Sequence, residues 1–253
     1  MERKESLSIT DLMARLKMVK GENFITIENT TSLTNPELIE LIPCIMEKPF
    51  IKSCKNVNIL VDSEINQEVE SLLTEYEFIL HDENVTVRKD LDEASTIEYG
   101  FSLKNLYDLS IPEFKKIWEA SMKESLNALS SLNIDEQMRS VEVELGPTYK
   151  KSCMVAYENE APIGVLMPHI EPGTSDEGRI FYFGIIPSER GKGKSKLLHQ
   201  QALEILKKDF KASYYIGSTG HKNLPMLKTF RHNGCKVIER NKVFKRKNRN
   251  ILS

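Results

Sequence analysis

Between Arg179 and Leu206 a strand, a glycine turn and a helix follow one another almost without a spare residue: RIFYFGIIPSERGKGKSKLLHQQALEIL. Ile180 to Ile186 is an apolar run of strand length, and Pro187 stops it. Arg190 to Ser195 is a short glycine-rich turn. Leu197, Leu198, Ala202, Leu203 and Leu206 then recur at the three- and four-residue spacing of a helix with one buried side.

That order of elements suits an anion. A turn cleared of side chains at Gly191 and Gly193 lets backbone N–H groups converge on phosphate oxygens, and the N-terminal end of the following helix adds roughly half a positive charge. Arg190, Lys192 and Lys194 are expected to place full charges around the turn. A polyphosphate is the ligand these residues predict.

Two known loops share letters with this turn. Gly193-Lys194-Ser195 copies the end of the nucleotide P-loop, GxxxxGK[ST], but the first glycine of that pattern would fall on Ser188. Arg190-Gly191-Lys192-Gly193-Lys194-Ser195 instead resembles the R/Q-x-x-G-x-G/A signature of the GNAT N-acetyltransferase superfamily, with Ser195 as the departure. Downstream, NLPMLKTFRHNGC from Asn223 to Cys235 is similar to a second landmark of that family: an asparagine, an aromatic seven residues on (Phe230), then a glycine (Gly234).

The resemblance implies an α/β (α+β) fold, a mixed, mostly antiparallel sheet flanked by helices that binds acyl-CoA. It implies transfer of an acetyl group from acetyl-CoA, as cosubstrate and without a metal, to the primary amine of a small molecule or amino acid by direct attack. Arg190, Gly191, Lys192, Gly193, Lys194 and Ser195 would hold the pyrophosphate, and main-chain groups at Gly184, Ile185 and Ile186 the pantetheine. Asn223 and Phe230 complete the expected cofactor-binding set. Family members often protonate the leaving thiolate from a tyrosine at the position of Phe230, which phenylalanine cannot do. Tyr214, Tyr215 and His221 are the replacement donors to consider, and Glu177 and His221 the candidate catalytic groups. Strand alternation predicts Arg179 and Phe181 on one face, lining the acceptor site, with Ile180 and Tyr182 on the other. An arginine there suits an acceptor carboxylate or phosphate. The alternative reading is a non-catalytic acyl-CoA-binding sensor or scaffold, motivated by Phe230 and the lack of an obvious base.

Ahead of this region the chain reads strand, helix, strand, helix, hairpin, with FITIEN at Phe24, VNILVD at Val57 and a hairpin around Asp82-Glu83-Asn84; a helix is expected over residues 8 to 20. The same order recurs from Phe181 to Arg246, which marks residues 1–92 as a degenerate GNAT-like half and 97–253 as the GNAT domain, joined by a polar linker from Asp90 to Ser95. Opposite the glycine turn the first half offers Leu33-Thr34-Asn35-Pro36-Glu37, with an acid where a phosphate would lie.

Composition sets the remaining bounds. With 253 residues, 40% of them apolar and 28% charged, the chain can bury an ordinary core. A net charge of −2 gives no pull toward nucleic acid or anionic membrane. No apolar run nears the roughly 20 residues a membrane span needs, and the four cysteines lack CxxC or Cys/His spacing. These features lead to an expected cytoplasmic location with reduced thiols, no nucleic-acid or membrane partner, and pairing of two chains left open.

Overall fold

The computed structural model describes residues 8–20, 24–91, 100–126 and 132–248. Its strands in chain order are β1 (Lys17–Lys20), β2 (Phe24–Glu28), β3 (Asn56–Asp62), β4 (Ile79–Asp90), β5 (Ser102–Asn105), β6 (Met154–Glu158), β7 (Ala161–Ile170), β8 (Glu177–Ile185), β9 (Tyr214–Gly220) and β10 (Lys236–Lys247). The helices are α1 (Ile9–Ala14), α2 (Asn35–Met46), α3 (Pro49–Lys52), α4 (Gln67–Glu75), α5 (Ile111–Met122), α6 (Ile134–Leu145), α7 (Tyr149–Ser152), α8 (Lys194–Lys208) and α9 (Leu224–His232).

The chain divides into two units, Met1–Val85 with Glu239–Ser253, and Thr86–Ile238. The sequence reading expects a continuous boundary near residue 92; this division is discontinuous, because the last strand of the chain closes the first unit. Most of the expected linker, from residue 92 on, lies outside the described residues.

In the first unit the strand order is β1-β2-β3-β10. β2 and β3 run parallel from Phe24↔Asn56 to Ile27↔Ile59, joined by α2 as the crossover. β10 lies antiparallel to β3 from Asn241↔Asp62 to Lys247↔Asn56. Val57, Ile59 and Val61 alternate into a core with Leu38, Leu41, Ile42 and Ile45 of α2 and Val69 and Leu73 of α4. The helix expected over residues 8–20 ends at Ala14; Lys17–Lys20 pairs with β2 instead, where Val19 faces Thr26. The hairpin expected at Asp82-Glu83-Asn84 is one continuous strand, and none of those three residues takes the positive φ that a tight hairpin turn demands.

The second unit orders its strands β4-β9-β8-β7-β6-β5. β5 through β8 are antiparallel neighbours, and β8 and β9 are the parallel pair. Phe114 and Trp118 of α5 and Met138 and Val141 of α6 cover Val155, Val165 and Met167 on one face. Leu198 and Ala202 of α8 cover Ile163, Leu166 and Ile185 on the other. β4 ends against β9, where the Leu91 N–H donates to the Ser213 carbonyl at 2.9 Å. β4 passes from the first unit to the second at Val85, and β10 from the second to the first at Ile238. No described helix is long and apolar enough to cross a membrane.

Candidate active site

The glycine turn forms as its sequence requires. After β8, Pro187–Glu189 makes one turn of 3₁₀ helix; Gly191 and Gly193 then take φ of +75° and +77°, and α8 begins at Lys194. Among the described residues, the N–H groups of Gly191, Lys192, Gly193, Lys194 and Ser195 find no backbone acceptor. A Cβ placed on either glycine meets nothing within 4 Å, and residues 191–193 are exposed.

The side-chain charges go elsewhere. Arg190 donates from Nε to the Ile185 carbonyl at 2.8 Å, from Nη1 to Glu124 O at 2.9 Å, and from Nη2 to Ser121 O at 2.9 Å and Lys123 O at 2.7 Å. It satisfies carbonyls at the C-terminal end of α5, where a cation also meets the negative end of the helix dipole. The Lys194 ammonium sits between Glu158, at 2.5 Å, and Glu189. Glu189 also pairs with Lys192 at 3.1 Å, and these hydrogen bonds, Lys194 first, hold its carboxyl below the usual range. The expected ring of free cations is therefore a set of fasteners, and attraction for an anion falls to the amides and the helix end.

The opening lies beside this loop. β8 and β9 pair only at Glu177↔Tyr214 and Gly178↔Tyr215. From Arg179 onward β8 stays bonded to β7 alone, as far as Gly164↔Ile185. β8 also carries a bulge: Leu166 faces Phe183 while Pro168 faces Ile180, which leaves one extra residue on β8. The bulge corrects the alternation read from sequence, because Phe181 and Tyr182 both turn toward α5 and α6, while Ile180 and Phe183 turn toward α8. Tyr182 packs on Trp118 with ring centroids 5.6 Å apart, and its hydroxyl lies 3.0 Å from Ser121 Oγ. Gly184 is glycine because a Cβ there would stand 2.4 Å from that hydroxyl.

The second landmark braces the loop from behind. Asn223 caps α9, accepting from Met226 N–H at 3.3 Å and donating to Thr219 Oγ1 at 3.0 Å. Ser195 Oγ lies 3.2 Å from Thr229 Oγ1, linking α8 to α9. Phe230 is 2% exposed and packs on His199 at 5.4 Å and Tyr215 at 6.3 Å, with Phe183 on the far side of His199. Asn233 Nδ2 donates to His199 Nδ1 at 2.9 Å, and complete burial lowers the histidine pKa to about 3.

The first unit has neither feature. Its parallel strands stay paired along β2, and the loop before α2 is closed by Glu37, whose carboxylate accepts from Thr34 N–H at 2.7 Å and Thr34 Oγ1 at 2.8 Å.

A model of the acetyltransferase (GNAT) family matches residues 103–235. The chain belongs to that family. A GCN5-related N-acetyltransferase from Sphaerobacter thermophilus superposes with a TM-score of 0.61 at 13% identity, covering 94% of this chain and 78% of that one. A GNAT-family acetyltransferase from Colwellia psychrerythraea gives 0.57 at 12%, covering 90% and 80%. A tandem GNAT protein from the clavulanic acid biosynthesis pathway gives 0.55 at 11%, covering 92% and 78%. At these identities the likeness is one of fold. No curated protein sequence matches the chain. GNAT proteins transfer acyl groups from acyl-CoA, and the open amides of Gly191 to Ser195 fit the diphosphate of that cosubstrate.

The residues expected on the acceptor side are firmly engaged. Glu177 Oε1 accepts from Arg179 Nε at 2.6 Å and Oε2 from the Tyr214 hydroxyl at 3.1 Å, so both oxygens are tied to neighbours on β8 and β9. Arg179, matched by Glu177 and by Glu171 at 3.6 Å, is no open anion site. Arg88 covers the Tyr214 ring at 3.9 Å. His221 follows the last residue of β9 while Glu177 pairs with the first, so the two candidate catalytic groups stand at opposite ends of that strand. Cys153 is sealed at 0% exposure, and burial pushes its thiol up to about 12, so it is no nucleophile.

Sequence reasoning passed over His169 near the end of β7 and Glu144 on α6, and placed Glu171 only in an acidic loop, to Gly178, near the expected acceptor entrance. His169 is 3% exposed, and burial lowers its pKa from the ordinary value. The Glu144 carboxyl is raised by loss of solvent and by the charge of Glu171. The available signal was His-x-Glu at the end of a predicted strand.

Proposed function

We propose that the chain is an acetyl-CoA-dependent N-acetyltransferase that acetylates the primary amine of a small molecule or amino acid by direct attack. The observation carrying this reading is the parting of β8 from β9 next to a loop whose amides are open. Acyl-CoA supplies, when bound, a thioester activated toward an amine. The amides of Gly191 to Ser195 and the positive end of α8 receive phosphate charge. The edge of β8 released by β9 offers main-chain groups to an extended arm, with the Ile185 carbonyl already taken by Arg190. Phe181 and Tyr182 wall the acceptor face, and the aromatic cluster of Phe183, His199, Tyr215 and Phe230 keeps water out from the α8 side. With the buried thiols raised by desolvation, no covalent enzyme intermediate is drawn. Four free cysteines fit a reducing compartment such as the cytoplasm.

Phe230, a sealed ring without a hydroxyl, favours the second reading of a non-catalytic acyl-CoA sensor. Thiol release from acetyl-CoA with 1,4-diaminobutane, L-lysine, tryptamine and glucosamine separates the two. Amine-dependent release with an acetylated product by mass spectrometry supports the enzyme. Calorimetric binding of acetyl-CoA without release for any amine supports the sensor, and no binding removes both.

A further inference from the structure

His169, near the end of β7, and Glu171, just beyond it, bring their side chains within 3.8 Å of one another. His169 Nδ1 lies 3.4 Å from the Met167 carbonyl oxygen. A carbonyl can only accept, so a hydrogen bond there places a proton on Nδ1, the tautomer in which Nε2 is the free nitrogen on the side of Glu171. Nε2 stands 3.8 Å from Glu171 Oε2, too far for a hydrogen bond. A nitrogen placed about 2.9 Å from both atoms would see them roughly 80° apart, so it can contact both at once.

The surroundings place this gap on the acceptor side. His169 is opposite Arg179 in the strand register, one residue past the last β8–β9 pair, where the opening begins. Phe181, on the bulge, sets its ring 6.5 Å from the imidazole. Arg179 Nε approaches the same Glu171 oxygen at 3.6 Å and fixes it from β8. The main chain is fixed too, since Glu171 N–H donates to the Glu177 carbonyl at 2.9 Å. Glu177, by contrast, has both oxygens occupied at hydrogen-bond distance.

We propose that His169 is the general base of the reaction, with Glu171 receiving the acceptor's ammonium beside it. This rests on the N-acetyltransferase reading and adds the residue that takes the proton. One proton passes from the ammonium nitrogen to Nε2, leaving a free amine and an imidazolium. The amine lone pair forms the C–N bond at the thioester carbonyl carbon, and the C–S bond breaks with its electron pair on sulfur. The thiolate takes the second proton lost by nitrogen, and the imidazolium returns its own to solvent. At rest burial keeps the ring neutral; once protonated, its two N–H groups face the Met167 carbonyl and the Glu171 carboxylate. The charged groups facing the ring are Glu171 on its own strand and Arg179 on β8, and Glu144 of α6 acts on it through Glu171.

The test uses the full chain and the amine that works best in the thiol-release panel. His169→Gln is expected to lower kcat/KM about 100-fold or more at neutral pH, the range of a lost general base, with acetyl-CoA affinity by calorimetry within about twofold of the parent. The acidic inflection of the kcat/KM profile should vanish in the variant. In the parent that inflection should coincide with the imidazole titration of His169 followed by ¹⁵N NMR, a comparison that needs no variant to fold. Glu171→Gln should raise the KM of the amine more than it lowers kcat. Parent-like kcat/KM in His169→Gln, or an inflection that differs from the NMR titration by more than about one pH unit, overturns the assignment of His169 and leaves the acetyltransferase reading standing. A parent enzyme inert toward every amine overturns that reading and this one with it.

Discussion

Arg190 Nη2 donates to the carbonyl oxygen of Ser121 at 2.9 Å, so the residue that opens the loop motif clamps the end of α5. The same guanidinium also reaches Glu124, Lys123 and Ile185. Lysine keeps the charge but cannot span these carbonyls. Arg190→Lys should therefore lose about 1–3 kcal/mol of stability, nearly as much as Arg190→Gln, in urea unfolding. A lysine variant as stable as the parent would show that charge, and not the fork of donors, is what the position requires.

Glu189 faces the loop's lysines and holds both of them. Replacing it by glutamine removes a negative charge beside an anion site and releases Lys192, while Lys194 keeps its pair with Glu158. The expected result is tighter acetyl-CoA binding, about three- to tenfold, with a steeper loss of affinity between low and high salt. Calorimetry at two ionic strengths reads both effects.

Gly191 and Gly193 hold left-handed φ values in open space. Alanine at either is strained by roughly 1 kcal/mol but meets no clash. The fold should survive with a small fall in Tm, while acetyl-CoA affinity drops about tenfold because the new methyl group and the shifted backbone disturb the amide cluster. Unchanged affinity in both variants would move the ligand away from this loop.

His199 makes stability depend on pH in a defined direction. Its folded pKa is depressed to about 3 by burial, so the unfolded chain takes up a proton first. The stabilisation is complete above the ordinary histidine value near 6.5 and is lost as pH falls toward 3. Between pH 6.5 and 5 the loss should approach about 2 kcal/mol. Urea midpoints of the parent and of His199→Leu, compared across that window, should show the variant losing less with acid. Equal slopes would place the imidazole in solvent.

Deleting residues 239–253 should unfold the first unit. Without β10 the edge of β3 is bare, and Val243 and Phe244, 7% and 4% exposed in the whole chain, are gone. Loss of protection in the amides of Asn56–Asp62 by hydrogen exchange is the expected signature, and retained protection would show that β3 stands without its partner.

The strand, turn and helix around Gly191 could be read from letters because each is a local signal: an apolar run, two glycines and a helical spacing. The acid at Glu37 was legible for the same reason, whereas Asn223, expected at the cofactor, caps α9 instead. The partners of Arg190 and Lys194 were not legible, since they come from α5 and from the β6–β7 hairpin, far away in sequence. The bulge at Phe181 and Tyr182 left no trace in an unbroken apolar run, and it reversed the face assigned to Tyr182. His169 was missed because it became informative only when the pairing of β7 with β8 set it against Arg179. The hairpin foreseen at Asn84 failed because polar residues within a continuous strand mimic a turn in the sequence.

The pairing of early β3 with late β10 also has a consequence for how the molecule is made. On the ribosome, Asp62 appears long before Asn241, its neighbour in the finished sheet. An early core of α2, β2 and β3 must wait, with one ladder of β3 unmatched, until Asn241–Lys247 has emerged. Synthesis rate and chaperone supply, rather than intrinsic helix or strand preference, would then govern how much of the protein reaches its native state.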